Sequence, residues 1–415
     1  YEKDFKSQYE GLPTPRVTDV KYEIDVFPYR RALTLRGEQS MTNKTDQPIT
    51  EMLLVIDDDF ENEIEIEGAQ LTETFQDYGL QLYVFDPPMQ PGDVRSMSYT
   101  VSYASEGFEN SVSKTEIVQN GTFFNNMIVP QIGYQPGGEL RDKSDRKKHD
   151  LGEPQPMPPL DPDNLEARGN TYLNNWSDWV NVETVISTAA DQIAVAPGSL
   201  RESWEKDGRR YFRYVVDHPS LNFYSFISAK YERLAGKWND VDVEVYYHPE
   251  HVWNVPRMRD SMIASLEYCS EEFGPYRHKQ ARIIEFPRVA SFAQAFPGTM
   301  PYSEGVGFIA DLSDNQDIDK VFYVVAHEMA HQWWAHQVIG ANMQGATVLS
   351  ETLAQYSALM VMEREYGRDM MRKFLRYEMD RYLRSRGREM LKERPLIKVE
   401  SQQGYIPYQK GSVVM

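Results

Sequence analysis

VFYVVAHEMAHQWW, residues 321–334, decides how this chain is read. The run is apolar on nearly every side, the pattern of a helix that is buried and can enclose a site. On a helix, positions four apart share a face, so His327 and His331 can aim two imidazoles at one metal ion. Glu328 is turned about a quarter of the way round, where it reaches a water at that metal without occupying the metal itself. Two nitrogen ligands beside a general base are the chemical content of the HExxH pattern.

A catalytic zinc takes three protein ligands and leaves one position open. Glu351 is the candidate for the third. It opens LSETLAQYSALMVMERE (residues 349–365), and a helix antiparallel to the first would return its opening turn to the histidines. Asp317 and Asp319 stand where a first helical turn welcomes negative charge. Gly367 is a suitable stop for the second helix, and a third helix is expected from Arg368 to about Arg386.

The rest of the composition narrows the alternatives. The chain has 415 residues, enough for two or three domains. Hydrophobic residues make up 41% and aromatics 12%, as in a folded protein with a sizeable core. A net charge of -19 argues against a phosphate-backbone partner, so no nucleic acid is expected. A single cysteine, Cys269, excludes an internal disulfide and a cysteine-rich zinc site. No stretch approaches the ~18 apolar residues that cross a bilayer, so the chain as given is expected to be soluble. It begins at Tyr1 and stops on GSVVM with no cap after it, which reads as a piece of something longer.

Two units are expected. Residues 1–233 alternate in the manner of strands (KYEIDVF, NEIEIEG, LQLYVFD), with turn signals between them, and predict a mostly antiparallel β domain. A Pro-, Gly- and charge-rich stretch at about 133–170 reads as a long surface excursion. Residues 234–415 begin with strands such as ARIIEFP and continue as helices, an α+β unit that holds the metal site.

HEMAHQWW followed by LSETLAQY resembles the M1 (gluzincin) aminopeptidases, whose pattern is HExxHQW and then xxNExxAxY. YQKGSVVM, with Tyr408, resembles the family's YxKGxxVxxM segment. The resemblance implies an N-terminal saddle-like β domain, a thermolysin-like zincin domain and one Zn2+ per chain. It further implies a peptide substrate and a role for Tyr408 in stabilising the oxyanion. The helical domain that follows in complete family members is not in this sequence.

Three features depart from the family pattern. The family places eighteen residues between the second histidine and the third ligand, whereas Gln332 to Ser350 makes nineteen. A one-residue bulge in the connecting loop VIGANMQGATV would absorb the difference and keep Glu351 as ligand. The GxMEN motif, whose glutamate binds the substrate's α-amine, is replaced by PGTMPYSEGVGF (residues 297–308), where Glu304 is the nominated counterpart. Finally, YEGLPTPRVTDVKYEIDVFPYRRALTLRG and NKTDQPI resemble M1-type domains fused to the transmembrane permease part of ABC transporters. That implies a tethered, periplasmic position in a bacterial inner-membrane protein.

The resulting expectation is a zinc peptidase that removes N-terminal residues. The rivals are an endopeptidase with altered N-terminal recognition and a peptide-binding or sensing domain with little turnover. His248 and His251 are three apart, but Pro249 between them argues for a turn rather than a second metal site. Trp333 and Trp334 are expected on the metal helix, as core and pocket wall.

Overall fold

Alternation along Arg16–Phe27 builds the first unit: Val20, Tyr22, Ile24 and Val26 face in, while Asp19, Lys21 and Glu23 face out. A register shift between Val17 and Asp19 keeps Val17 inward as well. This strand pairs antiparallel with Ala32–Thr42 and parallel with Ser177–Ala189, Val20 opposite Val182 and Ile24 opposite Ile186. It is the parallel exception in an otherwise antiparallel unit, and a parallel neighbour demands a long crossover. The structure, a computed structural model, describes residues 1–107, 115–154, 157–174, 176–314, 318–400 and 403–415. Asp317 lies outside them.

The large sheet runs Ser199–Lys206, Arg209–Val215, Ser177–Ala189, Arg16–Phe27, Ala32–Thr42, Val94–Ala104, Glu61–Ile66 in spatial order. Two smaller antiparallel sheets pack with it around one apolar core. The stretch expected as a surface excursion carries a short helix, Lys143–Lys148, capped by Asp142, whose side chain accepts from Ser144 N and Asp145 N. It also reaches the second unit: Asn342 N donates to Asn170 O at 3.0 Å and Gln344 N to Pro158 O at 2.9 Å.

The second unit begins with strands β1 (Glu232–Trp238), β2 (Val241–Tyr247), β3 (Gln280–Phe286) and β4 (Thr299–Ser303), adjacent in that order. β1 and β2 are antiparallel; β2, β3 and β4 are parallel. Helix α1 (Val255–Phe273) makes the crossover between β2 and β3. Every residue of β3 is buried, as expected of a central strand covered on both faces. Beyond β4 the segment Phe292–Phe296 doubles back antiparallel, with Ser303 N to Phe292 O at 2.9 Å and Phe296 N to Thr299 O at 2.9 Å. The reversal is at Pro297-Gly298. Gly298 has φ +63, and a Cβ there would sit 2.8 Å from Gln280 Nε2, so the turn requires glycine.

Helices α2 (Lys320–Ala330), α3 (Leu353–Tyr366) and α4 (Arg368–Arg388) follow. Asp319 caps α2 by accepting from Phe322 N at 3.0 Å. α3 stops at Gly367, φ +82. The two units share a buried seam: Arg282 donates to Gly198 O at 2.6 Å, and the rings of Phe223 and Phe296 lie 4.5 Å apart. No helix of the described residues is long and apolar enough to cross a membrane. Cys269, on α1's apolar face, is fully buried in the core, and burial pushes its thiol far up, so it is a packing residue.

Candidate metal centre

α2 is buried around almost its whole circumference and delivers His327 and Glu328 to the interior. It ends one residue before His331, which serves as its C-cap while still donating its N–H to His327 O at 3.2 Å. The four-residue spacing therefore survives the end of the helix. Trp333 and Trp334 fall in the turns beyond, not on the helix as expected, because Gly274 O and Ser357 Oγ draw their indole N–H groups at 2.8 and 2.9 Å.

The Nε2 atoms of His327 and His331 lie 3.1 Å apart, and Glu351 Oε2 is 3.5 Å from each. Three ligand atoms on three buried or half-buried side chains thus face one point. His331 Nδ1 is held by Trp334 O at 3.1 Å, which turns its Nε2 toward that point. Glu351 Oε2 is buried and has no hydrogen-bond donor among the described residues. Two imidazole nitrogens and this orphaned carboxylate oxygen suit a catalytic zinc with its fourth position open.

Glu351 reaches this point through a wide turn. Leu353 N donates to Val348 O, five residues back, and Val348–Thr352 forms a single π-turn at the head of α3. A π-turn holds one residue more than an α-turn. The turn beside Glu351 thus has room for the nineteenth residue. Ser350, at the eighteen-residue position, points elsewhere: its Oγ is 2.6 Å from Tyr172 Oη.

Electrostatics follow from the burial. Burial pushes the Glu328 carboxyl up, opposed by His327 and His331. Burial works against protonation of His331, but the Glu351 and Glu328 carboxylates and Trp334 O together outweigh it and raise the imidazole to about 9. Glu351 is held well below the usual carboxylate range by His331 and His327 in spite of its own burial. Burial, and then Glu351, push the Tyr408 phenol far above its ordinary value, so it stays a proton donor. Its ring lies 5.8 Å from that of His327.

A staple on the other side escaped the sequence reading. The backbone N–H of Ala295 favours the Glu328 carboxylate. Gln332 accepts from Gly298 N at 2.8 Å and donates to Phe296 O at 3.0 Å, and His336 Nε2 donates to Ala295 O at 3.1 Å. Burial lowers His336 to about 3, so it remains neutral. Glu328, Gln332 and His336 are four apart in sequence, and that spacing was the available signal. Tyr172 had none, because it stands at the end of an irregular stretch and meets the site only through the tertiary fold.

The structure brings together His327, His331, Glu351, Glu328 and Tyr408 around a cavity of about 600 Å³. Glu304 does not line it. Glu304 follows β4, takes Arg288 N at 3.2 Å, and shares a cluster with His251 and Glu285. The segment that does face the metal centre is Ser291–Ala295, one strand earlier than the nominated stretch, and it carries no carboxylate. His248 and His251 form a turn, His251 N to His248 O at 2.8 Å, and His251 pairs with Glu285.

Residues 259–415 match the Peptidase family M1 domain. A probable aminopeptidase 2 of Sulfurisphaera tokodaii is 29% identical over 111 residues, a stretch covering 26% of this chain and 14% of that relative. An M1 zinc metallopeptidase variant from Deinococcus radiodurans superposes with a TM-score of 0.61 at 15% identity, covering 96% of this chain and 81% of that one. The same protein bound to a Tyr-Ser-Ala substrate gives 0.58 at the same identity and coverage. These likenesses bear on the fold, a β-rich unit followed by a mixed catalytic unit. Across residues 259–415, then, the chain is similar to the Peptidase family M1 domain.

Proposed function

We propose that this chain hydrolyses peptide bonds with one zinc ion held by His327, His331 and Glu351. The observation that carries the reading is the convergence of those three ligand atoms beside a buried Glu328 that is not one of them. When bound, zinc polarises the scissile carbonyl and lowers the pKa of water toward ~7. Glu328 takes the proton of the attacking water and returns it to the leaving amine, and burial suits its carboxyl to both directions. Tyr408 donates to the oxygen on which charge develops. Ala293, on the outer edge of the Phe292–Phe296 segment next to β4, offers its backbone for a peptide to lie along as an added strand, while Ala295 O is taken by His336.

Removal of N-terminal residues is supported by the name of the Sulfurisphaera tokodaii relative. The cavity favours a second form. A protonated α-amine brought out of water needs a carboxylate to offset its lost hydration, and the carboxylates among the described lining residues are Glu328 and Glu351. Both are engaged by the chemistry. Cleavage that does not depend on a free amine is therefore the form we favour. Fluorogenic peptides with free and acetylated N-termini test it: similar kcat/KM for both is expected, and loss of all cleavage on acetylation would return the chain to the aminopeptidases.

The resemblance of residues 9–37 and 43–49 to permease-fused M1 domains supports a further reading, attachment to an ABC-type transmembrane region on the outer side of a bacterial inner membrane. Protease accessibility of the natural full-length protein in spheroplasts tests it.

A further inference from the structure

The same cavity holds two side-chain cations besides its histidines, Lys320 and Arg381. Both approach one ring: Lys320 Nζ is 5.8 Å, and Arg381 Cζ 5.4 Å, from the centroid of Tyr377. Arg381 is oriented from behind by Glu378, at 3.1 and 3.4 Å. Glu378 is buried and is itself fixed by the Tyr323 hydroxyl at 3.2 Å. The Arg381 side chain nevertheless keeps 41% of its surface open. Lys320 forms no ion pair among the described residues.

Lys320 stands seven residues before His327 on α2. Seven residues are nearly two turns, so the two side chains share a face about 10 Å apart along the axis. An extended peptide covers that distance in about three residues. The whole chain carries a net charge of -19 and Arg381 is paired with Glu378, so Lys320 brings the unbalanced positive charge to this end of the cavity. The two cations repel an amine and suit a carboxylate, which arginine grips with a planar fork and lysine as a point charge.

We propose that Lys320 and Arg381 form a subsite for a peptide carboxylate, so that preferred substrates carry one about three residues beyond the bond cut. It is the C-terminal carboxylate of a short peptide or an acidic side chain at that place. The inference rests on the zinc-peptidase reading and names the substrate class of that site.

The test uses zinc-loaded Glu328→Gln, titrated calorimetrically with Ala-Ala-Phe-Ala-Ala-Ala as free acid, as C-terminal amide, and as an amide with Asp in the last position. The free acid should bind ~10–100-fold more tightly than the plain amide, the usual worth of a charge-assisted contact. If the Asp-containing amide binds as tightly as the acid, a side-chain carboxylate is an equal source; if only the acid gains, the chain terminus is the ligand. Adding Lys320→Ala should reduce the preference, and Arg381→Lys, which keeps Glu378 paired, should reduce it less. Arg364→Ala, on an exposed residue paired with Glu271, should leave it unchanged. In the enzyme with Glu328 intact, Lys320→Ala should raise KM for the acid with kcat little altered. Equal binding of all three peptides would overturn the subsite. A retained preference without cleavage of any peptide by the unmutated chain would count against the peptidase reading and leave the subsite standing.

Discussion

Thr352 Oγ1 donates to Pro407 O at 2.7 Å, and this bond ties the turn that carries Glu351 to the turn that carries Tyr408. The two turns approach so closely that a Cβ on Gly411 would lie 2.5 Å from Thr352 Oγ1 and 2.7 Å from its Cγ2. Glycine in the YQKG segment is thus required by packing, and Tyr408, the proposed oxyanion donor, is positioned by the neighbour of Glu351, the proposed third metal ligand.

Gly411→Ala should therefore push the Tyr408 turn outward. We expect a loss of about 1–3 kcal/mol of stability from overpacking and a lower kcat, with zinc content unchanged. Thermal unfolding and metal analysis on one preparation check it; unchanged kcat would show that the turn tolerates the methyl group.

Glu351→Ala should weaken zinc binding sharply, whereas Ser350→Ala should keep full zinc, since Ser350 Oγ faces Tyr172. Competition with a chelator measures both. The opposite order would place the third ligand at the eighteen-residue position and remove the π-turn from the account.

Glu328→Gln should retain zinc and lose at least ~10²-fold in turnover, because the attacking water loses its base. Tyr408→Phe should retain zinc and lower kcat by roughly 10²–10³-fold, the usual effect of deleting one oxyanion donor. Steady-state kinetics on a peptide cleaved by the unmutated chain decide both, and wild-type rates in either variant would exclude that residue from the mechanism.

Gln332→Leu leaves Gly298 N without its buried partner, while Phe296 O keeps the Thr299 N–H at 3.1 Å. The orphaned N–H costs about 1–3 kcal/mol, so Tm should fall, and KM should rise as the Phe292–Phe296 edge loosens. Zinc content should hold. A lower Tm with unchanged KM would confine Gln332 to a structural role.

The geometry of the candidate metal centre was legible in sequence because helix geometry converts spacing directly into direction: residues 327, 328 and 331 needed only the 3.6-residue period. The β-rich first unit was legible for the same reason, through the two-residue period of strands such as Arg16–Phe27. What failed depended on contacts between distant segments. Glu304 was nominated from its place between β3 and α2, but the hairpin at Pro297-Gly298 brings Phe292–Ala295 to the metal centre and carries Glu304 to the His251 cluster. The extra residue before Glu351 was visible, while its location was not, since loop and π-turn have no distinguishing local pattern here. Tyr172 and Arg381 enter the cavity from an irregular stretch and from α4, with no motif to announce them.

The most direct test is to strip the protein of metal, titrate zinc back and follow cleavage of an internally quenched peptide in the same cuvette. Activity should be absent at the start, rise in proportion to added zinc and saturate at about one equivalent per chain. The His327→Ala chain should stay inactive throughout. Cleavage before zinc is added, or no cleavage at saturating zinc, would contradict the account.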